Sequence, residues 1–264
     1  MPGILHSLIG ADVKMARTMT SSNPRSVRLG LLGGRQPSAS PPLRVLLARA
    51  GWDSLWTPVD AGGAEPTQDD ALRIGVVAES VEQLPIATSH LWLRGDAARR
   101  ARESVAAARD AHRALPDLSA DAGDVRALED LRSMAVMPVL GPASIEQLLD
   151  LLRYCDGNVA VCLPASPGRT EAEARARLAR DPELEAVAAT AAALVGTLEQ
   201  CQESVGVLQA AGMRELRLRL PATSDLADVI AQTSALGVGS LARVRPGTPR
   251  SQAPNAPTGW GGRT

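Results

Sequence analysis

Short, continuously apolar runs that alternate with helix-patterned stretches constrain this chain more than any other feature. Val27 to Leu32 precedes a helical pattern from Leu43 to Ala50, and Gly51 to Pro58 returns to strand. Leu72 to Val77 is a third run, and His90 to Leu93 precedes a long helix starting near Asp96. Met134 to Leu140 leads into a helix from Ser144 to Tyr154. Asn158 to Leu163 leads into Thr170 to Leu178, with helical character continuing to Ala193. Near the end, Val195-Gly-Thr-Leu-Glu-Gln-Cys-Gln reads as a helix opened by a Gly-Thr turn. Gly212 to Pro221 is then a strand, followed by a helix from Asp225. Strands apolar on both faces and joined by helices form parallel βαβ units. The runs give seven strands, one fewer than an eight-fold barrel needs, so periodicity alone leaves a barrel and an open doubly wound sheet both standing.

The boundaries follow from composition. Residues 1–26 are Ser/Thr/Met-rich, lack periodicity and read as a flexible leader; residues 245–264 are rich in Pro, Gly and Ser and read as an extended tail that Trp260 could anchor. Residues 27–244 are expected to form one domain, and 45% hydrophobic residues suffice for its core. Net charge is −1, which gives no general field toward nucleic acid or membrane. No apolar run reaches the roughly 20 residues of a membrane span, and the amino terminus lacks the pattern of a signal peptide. The expected location is cytoplasmic. Phenylalanine is absent, and four tryptophans with Tyr154 are the whole aromatic complement, which counts against a base-stacking binder. Cys155, Cys162 and Cys201 have no CxxC spacing and read as buried structural thiols, with no metal site implied.

The order of elements in the last third, with Arg245-Pro-Gly-Thr-Pro-Arg and Gly259-Trp-Gly-Gly-Arg263, resembles the final units of actinobacterial luciferase-like flavin-dependent oxidoreductases. The resemblance runs from about Leu140 to the C-terminus, and Ala48 to Trp56 is similar to the family's early strands. It thins between Asp60 and Met134. The resemblance implies a TIM-type (β/α)8-like barrel, compacted, with one βα unit lost or remodelled. It further implies FMN or a deazaflavin as cofactor, a small-molecule or peptide substrate from specialised metabolism, and a homodimer or a heterodimer with a homologue.

In a barrel the chemistry lies at the C-terminal ends of the strands. The loops expected there are Gly33 to Gln36, Thr57 to Gly63, Arg94 to Asp96, Gly141 to Ser144, Pro164 to Arg169 and Pro221 to Ser224. Gly141 to Ser144 opens a helix, where free N–H groups suit a phosphate, and the resemblance places the flavin phosphate near this segment. The plainer account makes Ser144 a helix cap. Arg169 suits a phosphate as well, or is solvated beside a Thr170 cap whose box Glu173 completes. Trp56 either walls a flavin ring or is core, whereas Trp52 reads as packing. Asp60 stands where the family often carries an acidic residue and a histidine, and is the weak catalytic candidate. His90 opens its strand and so belongs at the barrel's bottom, His112 lies on a helix, and His6 lies in the leader. Arg99, Arg102, Arg109 and Arg113 share a helix face flanked by Glu103 and Asp110, which reads as a solvated stripe with local ion pairs or as a docking surface for an acidic partner.

No GxGxxG after a strand, GxxxxGK[ST], GxSxG or HExxH occurs, so dinucleotide, P-loop, hydrolase and zinc-protease chemistries lack their usual motifs. The leading expectation is an enzyme, a flavin- or deazaflavin-dependent oxidoreductase performing hydride transfer or monooxygenation. The alternative is a degenerate, non-catalytic barrel serving as a subunit in a biosynthetic complex. A weaker third reading is an unrelated barrel that holds a phosphorylated metabolite at Gly141 to Ser144.

Overall fold

The computed structural model describes residues 27–33, 41–58, 72–78, 90–95, 99, 101–103, 105–106, 117–155, 157–222 and 226–237. The leader, the tail with Trp260, and Asp60, Arg35, His6 and His112 lie outside them. Nine strands form one parallel sheet: β1 (Arg28–Leu32), β2 (Ser54–Pro58), β3 (Arg73–Ala78), β4 (His90–Leu93), β5 (Asp117–Ala122), β6 (Met137–Leu140), β7 (Ala160–Gly168), β8 (Leu194–Thr197) and β9 (Glu215–Arg219). Strands β1 to β7 pair in sequence order except for a closing step in which β9 joins β7 to β1. The result is a closed eight-strand barrel, a TIM-type (β/α)8 architecture.

The eighth barrel strand is β5, which the apolar-run reading passes over. Its sequence Asp-Leu-Ser-Ala-Asp-Ala is polar at every second position. No barrel strand is lost. The irregularity is an insertion after β7, where the first half of β7 pairs with β9 while its second half, Ala165 to Gly168, pairs with the extra β8. Pro164 to Gly168, expected as a loop, is therefore strand. Val195 to Thr197, expected as the opening of a helix, also belongs to a strand, Leu194–Thr197, with Thr197 serving as the cap of the next helix.

The described helices are α1 (Pro41–Arg49), α2 (Val125–Ser133), α3 (Ile145–Arg153), α4 (Glu171–Leu178), α5 (Pro182–Thr190), α6 (Leu198–Ala210) and α7 (Leu226–Ser234), with further helical residues at 99, 101–103 and 105–106. Their starts are written locally. Asp124, Ser144, Thr170, Asp181 and Thr197 each accept a backbone N–H from the first turn of the helix they open. Ser144 with Gln147 and Thr197 with Gln200 close reciprocal capping boxes.

Strand alternation divides the core in two. Leu29, Leu31, Leu55, Leu91, Leu93, Ala120, Ala122, Leu140, Val161, Leu163, Leu216 and Leu218 point outward into the main core beneath the helices, with Trp52 buried among them. Leu32, Trp56, Val77, Trp92, Val139 and Ala160 form a separate cluster inside the barrel, with Met137 and Cys162 against it. The outer layer is mostly aliphatic, with Trp52 its one indole among the described residues, whereas the lumen mixes indoles with charge. That division positions the site.

Candidate functional site in the barrel lumen and mouth

Every second residue of β9 faces the lumen, which brings Glu215, Arg217 and Arg219 inward beside β7's Ala160, Cys162 and Pro164. Glu215 and Arg217 are both 0% exposed. Arg217 Nε donates to Glu215 Oε1 at 2.9 Å, and its Nη1 donates across the lumen to Ser119 Oγ on β5 at 3.1 Å. The other Glu215 oxygen lies 3.3 Å from Arg73 Nη2 and 3.5 Å from Arg28 Nη2. Burial pushes the Glu215 carboxyl up, but Arg217, Arg73 and Arg28 outweigh it and hold the group below its ordinary value. A buried ion pair persists only when its partners are held this closely.

Two indoles enclose the Arg217 guanidinium. Its Cζ lies 3.8 Å from the Trp56 ring centroid and 4.7 Å from that of Trp92. The indoles meet edge to face at 5.9 Å and 87°. Space for them comes from glycine. A Cβ on Gly75 would overlap Cε3 and Cζ3 of Trp56, and one on Gly30 would stand 2.6 Å from Ser54 Oγ. Trp56 Nε1 donates to Ser54 Oγ, so both sides of the indole are specified.

The strand ends carry a second charged group. Asp121, near the end of β5, accepts Trp92 Nε1–H at 2.8 Å and Gly95 N–H at 3.2 Å, and Arg94 Nε lies 3.8 Å away. Gly95 has φ +75°, a conformation that aims its N–H at the carboxylate and that a side chain would resist. Burial raises the Asp121 pKa against the hydrogen bonds and nearby arginines, although its side chain keeps 26% exposure. It is thus a wetted carboxyl disposed to hold a proton more readily than usual. Arg219 closes β9 and reaches Glu183 of α5 at 3.2 Å. Cys162, partly exposed, links the two levels. Burial pushes its thiol up to about 11, while it feels Arg217, Arg94 and Arg219 on one side of the balance and Asp121 on the other.

Of the residues singled out from the sequence, Trp56 lies in the lumen, and Gly141, Ser144 and Arg169 follow the ends of β6 and β7. Trp56 is 3% exposed and carries Arg217 on its ring, so in this structure it is lumen packing first. Gly141 follows β6 and has open space beside it, for a Cβ there would meet nothing within 4 Å. Ser144 is engaged as the cap of α3. Arg169 is exposed beyond β7; its N–H donates to Glu173 Oε2 at 3.0 Å. Thr170 caps α4, but Glu173 reaches back to the Arg169 N–H rather than to Thr170, one residue off the expected box.

His90 opens β4 at the bottom of the barrel, 3.2 Å from Asp117. Burial lowers its pKa first, with Asp117 opposing and Arg73 reinforcing. Of the thiols only Cys201 is buried; Cys155, just past the end of α3, and Cys162, against the lumen cluster, are partly exposed. Arg99 pairs with Glu103 at 3.1 Å and Arg102 with Asp130 at 2.9 Å, while Arg109, Asp110 and Arg113 lie outside the described residues. Among the described residues no three His, Cys, Asp or Glu side chains gather as a metal site, and no helix is long and apolar enough to cross a membrane.

Glu215, Arg217, Ser119 and Asp121 are the functional candidates that sequence reasoning missed. The signal was the strict alternation of Glu-Leu-Arg-Leu-Arg and Asp-Leu-Ser-Ala-Asp-Ala, whose polar face would be taken for a solvent face in an open sheet.

No protein-family profile and no curated protein sequence matches the chain. Among solved structures, one match is the oxygenating constituent of 3,6-diketocamphane monooxygenase from the CAM plasmid of Pseudomonas putida, a type II Baeyer-Villiger monooxygenase in complex with FMN. It aligns over 79% of this chain and 96% of its own, with a TM-score of 0.53 at 11% identity. Apo-MsnO8 aligns over 81% of this chain and 98% of its own, with a TM-score of 0.50 at 12% identity. The chain has their barrel fold. At these identities the likeness shows the fold alone.

Proposed function

We propose that the chain is a flavin- or deazaflavin-dependent oxidoreductase of luciferase-like type, acting on a small molecule or peptide at the C-terminal mouth of the barrel. The observation that carries this reading is the partly exposed Asp121 at the strand ends with Arg94 3.8 Å away, and Arg219 at the end of β9. Support comes from the shared fold with a monooxygenase that holds FMN. The donor chemistry fits such a cofactor. Arg94 and Arg219, together with the open backbone at Gly141 and with Ser144 and Arg169 at the ends of β6 and β7, would hold its phosphate. Trp56, under Arg217, would close the lumen beneath it. When bound, the cofactor supplies hydride or oxygen chemistry. The chain orients it, keeps water out of the lumen with Trp56 and Trp92, and holds or releases a proton at Asp121. Asp121 takes the acid–base role among the described residues, while Asp60, the candidate from the sequence, lies outside them.

The test is turnover. The protein is loaded with FMN or a deazaflavin, the cofactor is reduced, and its reoxidation is followed in the presence and absence of protein. Reoxidation that the protein accelerates, and that Asp121→Asn slows at least tenfold, supports the reading; rates equal to free cofactor remove it.

A second reading has its own observation. The Trp56–Arg217–Trp92 stack fills the middle of the lumen, which suits a non-catalytic barrel that partners a homologue as homodimer or heterodimer. It predicts a stable dimer by light scattering and no cofactor uptake.

A further inference from the structure

We propose that Trp92 is a positioning residue for Asp121: together with the Gly95 N–H it clasps both carboxyl oxygens and fixes how the group faces the barrel mouth. Trp92 Nε1 donates to Asp121 Oδ1 at 2.8 Å, and Gly95 N donates to Oδ2 at 3.2 Å. The ladder between β4 and β5 ends at Leu93 and Ala120, so Asp121 lies just past it. A carboxyl there would otherwise turn among its rotamers.

Neither donor can follow the carboxyl if it turns. The Trp92 ring is 1% exposed, meets Trp56 edge to face at 5.9 Å and carries the Arg217 guanidinium 4.7 Å from its centroid. Next to Gly95, the Arg94 N–H donates to Ala78 O of β3 at 3.0 Å, which anchors the strand end, and the φ of +75° directs the Gly95 N–H. Rigid donors on packed elements hold an acceptor in one geometry.

The other indoles show that this chain does not need a carboxylate to satisfy a tryptophan. Trp56 donates to the Ser54 hydroxyl, and Trp52 Nε1 is buried with no partner among the described residues. A carboxylate costs more to bury than a hydroxyl. Its use opposite Trp92, at the C-terminal strand ends, fits a group kept for chemistry.

The clasp also acts on protonation. Its N–H donors favour the ionised carboxyl and so oppose the upward push of burial. Among the described residues, the other charged or titratable groups that face Asp121 are Arg94 at the end of β4, Arg217 of β9 and Cys162 of β7. Removing the indole N–H leaves all of them in place.

This inference rests on the reading of Asp121 as the proton-carrying group, and its test needs no cofactor. The Asp121 carboxyl is followed across pH by carbon NMR of the full chain carrying isotope-labelled aspartate, its resonance identified by its loss in Asp121→Asn. Trp92→Phe keeps an aromatic ring against Trp56 and Arg217 and removes the N–H. The Asp121 midpoint should rise by about one pH unit in that variant. In the parent, one of the four tryptophan indole N–H resonances should shift with the Asp121 midpoint and stop doing so in Asp121→Asn.

A midpoint unchanged in Trp92→Phe would overturn the inference, since a merely structural tryptophan lowers the melting temperature and leaves the titration alone. So would a parent in which no indole resonance follows Asp121, a result that stands even where Trp92→Phe does not fold. Turnover of reduced FMN separates this inference from the reading beneath it. If Asp121→Asn slows turnover while the pH profile of Trp92→Phe matches the parent's, only the positioning role falls. If the titration shifts as expected and the parent does not accelerate cofactor reoxidation, the oxidoreductase reading falls and the clasp stands.

Discussion

Arg217 lies against the face of Trp56, its Cζ 3.8 Å from the ring centroid, wholly enclosed in the middle of the barrel. The cation is held there by Glu215 and Ser119, and the indole is held by the absence of side chains at Gly75 and Gly30. Charge, aromatic and glycine form one unit, and each can be tested separately.

Gly75→Ala places a methyl against the Trp56 ring, which is itself backed by Arg217 and cannot yield. Overpacking of this kind costs about 1–3 kcal/mol. Urea unfolding should show that loss, and Trp56→Leu in the same chain should recover part of it. A Gly75→Ala variant as stable as the parent would mean that the indole has freedom the structure denies it.

Ser119→Ala removes the acceptor of Arg217 Nη1 and the hydroxyl that donates to Leu91 O at 3.2 Å. Leaving a buried guanidinium nitrogen unsatisfied costs about 1–3 kcal/mol. The expected result is a lower midpoint in urea with an unchanged slope. No change would place another acceptor at Nη1.

Acid stability follows from Glu215 and His90. The Glu215 pKa is depressed in the fold, so its contribution is complete above its ordinary value of 4.5 and is lost as pH falls through the lower folded value. The His90 pKa is also lowered, so the unfolded chain takes up its proton first and stability starts to fall as pH drops below 6.5. Stability measured by urea should therefore decline in two stages on acidification. His90→Gln should remove the earlier stage and leave the later one. A profile flat from pH 7 to pH 5 would contradict the His90 assignment, and one with no further fall below pH 4 would contradict the Glu215 assignment.

Much of this was legible in the chain. Leu29 and Leu31, Leu91 and Leu93, and Val161 and Leu163 all announce buried strands, and Ser144, Thr170 and Thr197 announce the helix starts that the structure bears out. Strand β5 did not, because Asp117, Ser119 and Asp121 face the lumen and only Leu118, Ala120 and Ala122 face the helices. The segment therefore reads as a polar loop to any rule that expects a parallel strand to be apolar on both faces. The second half of β7 hides behind Pro164, Pro167 and Gly168, residues that usually mark turns. Here β8 pairs with it, and Arg177 Nη1 donates to the Pro167 carbonyl. Which residues meet in the lumen depends on the register of non-adjacent strands, such as Ser119 with Arg217, and no local pattern encodes that.

Asp121→Asn separates function from stability. The Asp121 pKa is raised by burial, so its ionised form is the unfavourable one at neutral pH, and this contribution to stability is lost as pH rises through the folded value. The amide should leave the melting temperature at pH 7 unchanged or higher while lowering turnover at least tenfold, within the range general acid–base groups supply. A variant with full turnover would remove Asp121 from the mechanism; one that unfolds would make it structural.

Titration of the purified protein with FMN and with a deazaflavin, followed by fluorescence quenching, decides whether the mouth at Arg94, Asp121 and Arg219 holds a flavin-type cofactor. Saturable binding to one of the two, weakened by Arg94→Gln and by Arg219→Gln, is the predicted result. Absence of saturation with both cofactors through high micromolar concentrations would contradict the cofactor reading and leave the barrel as a partner subunit.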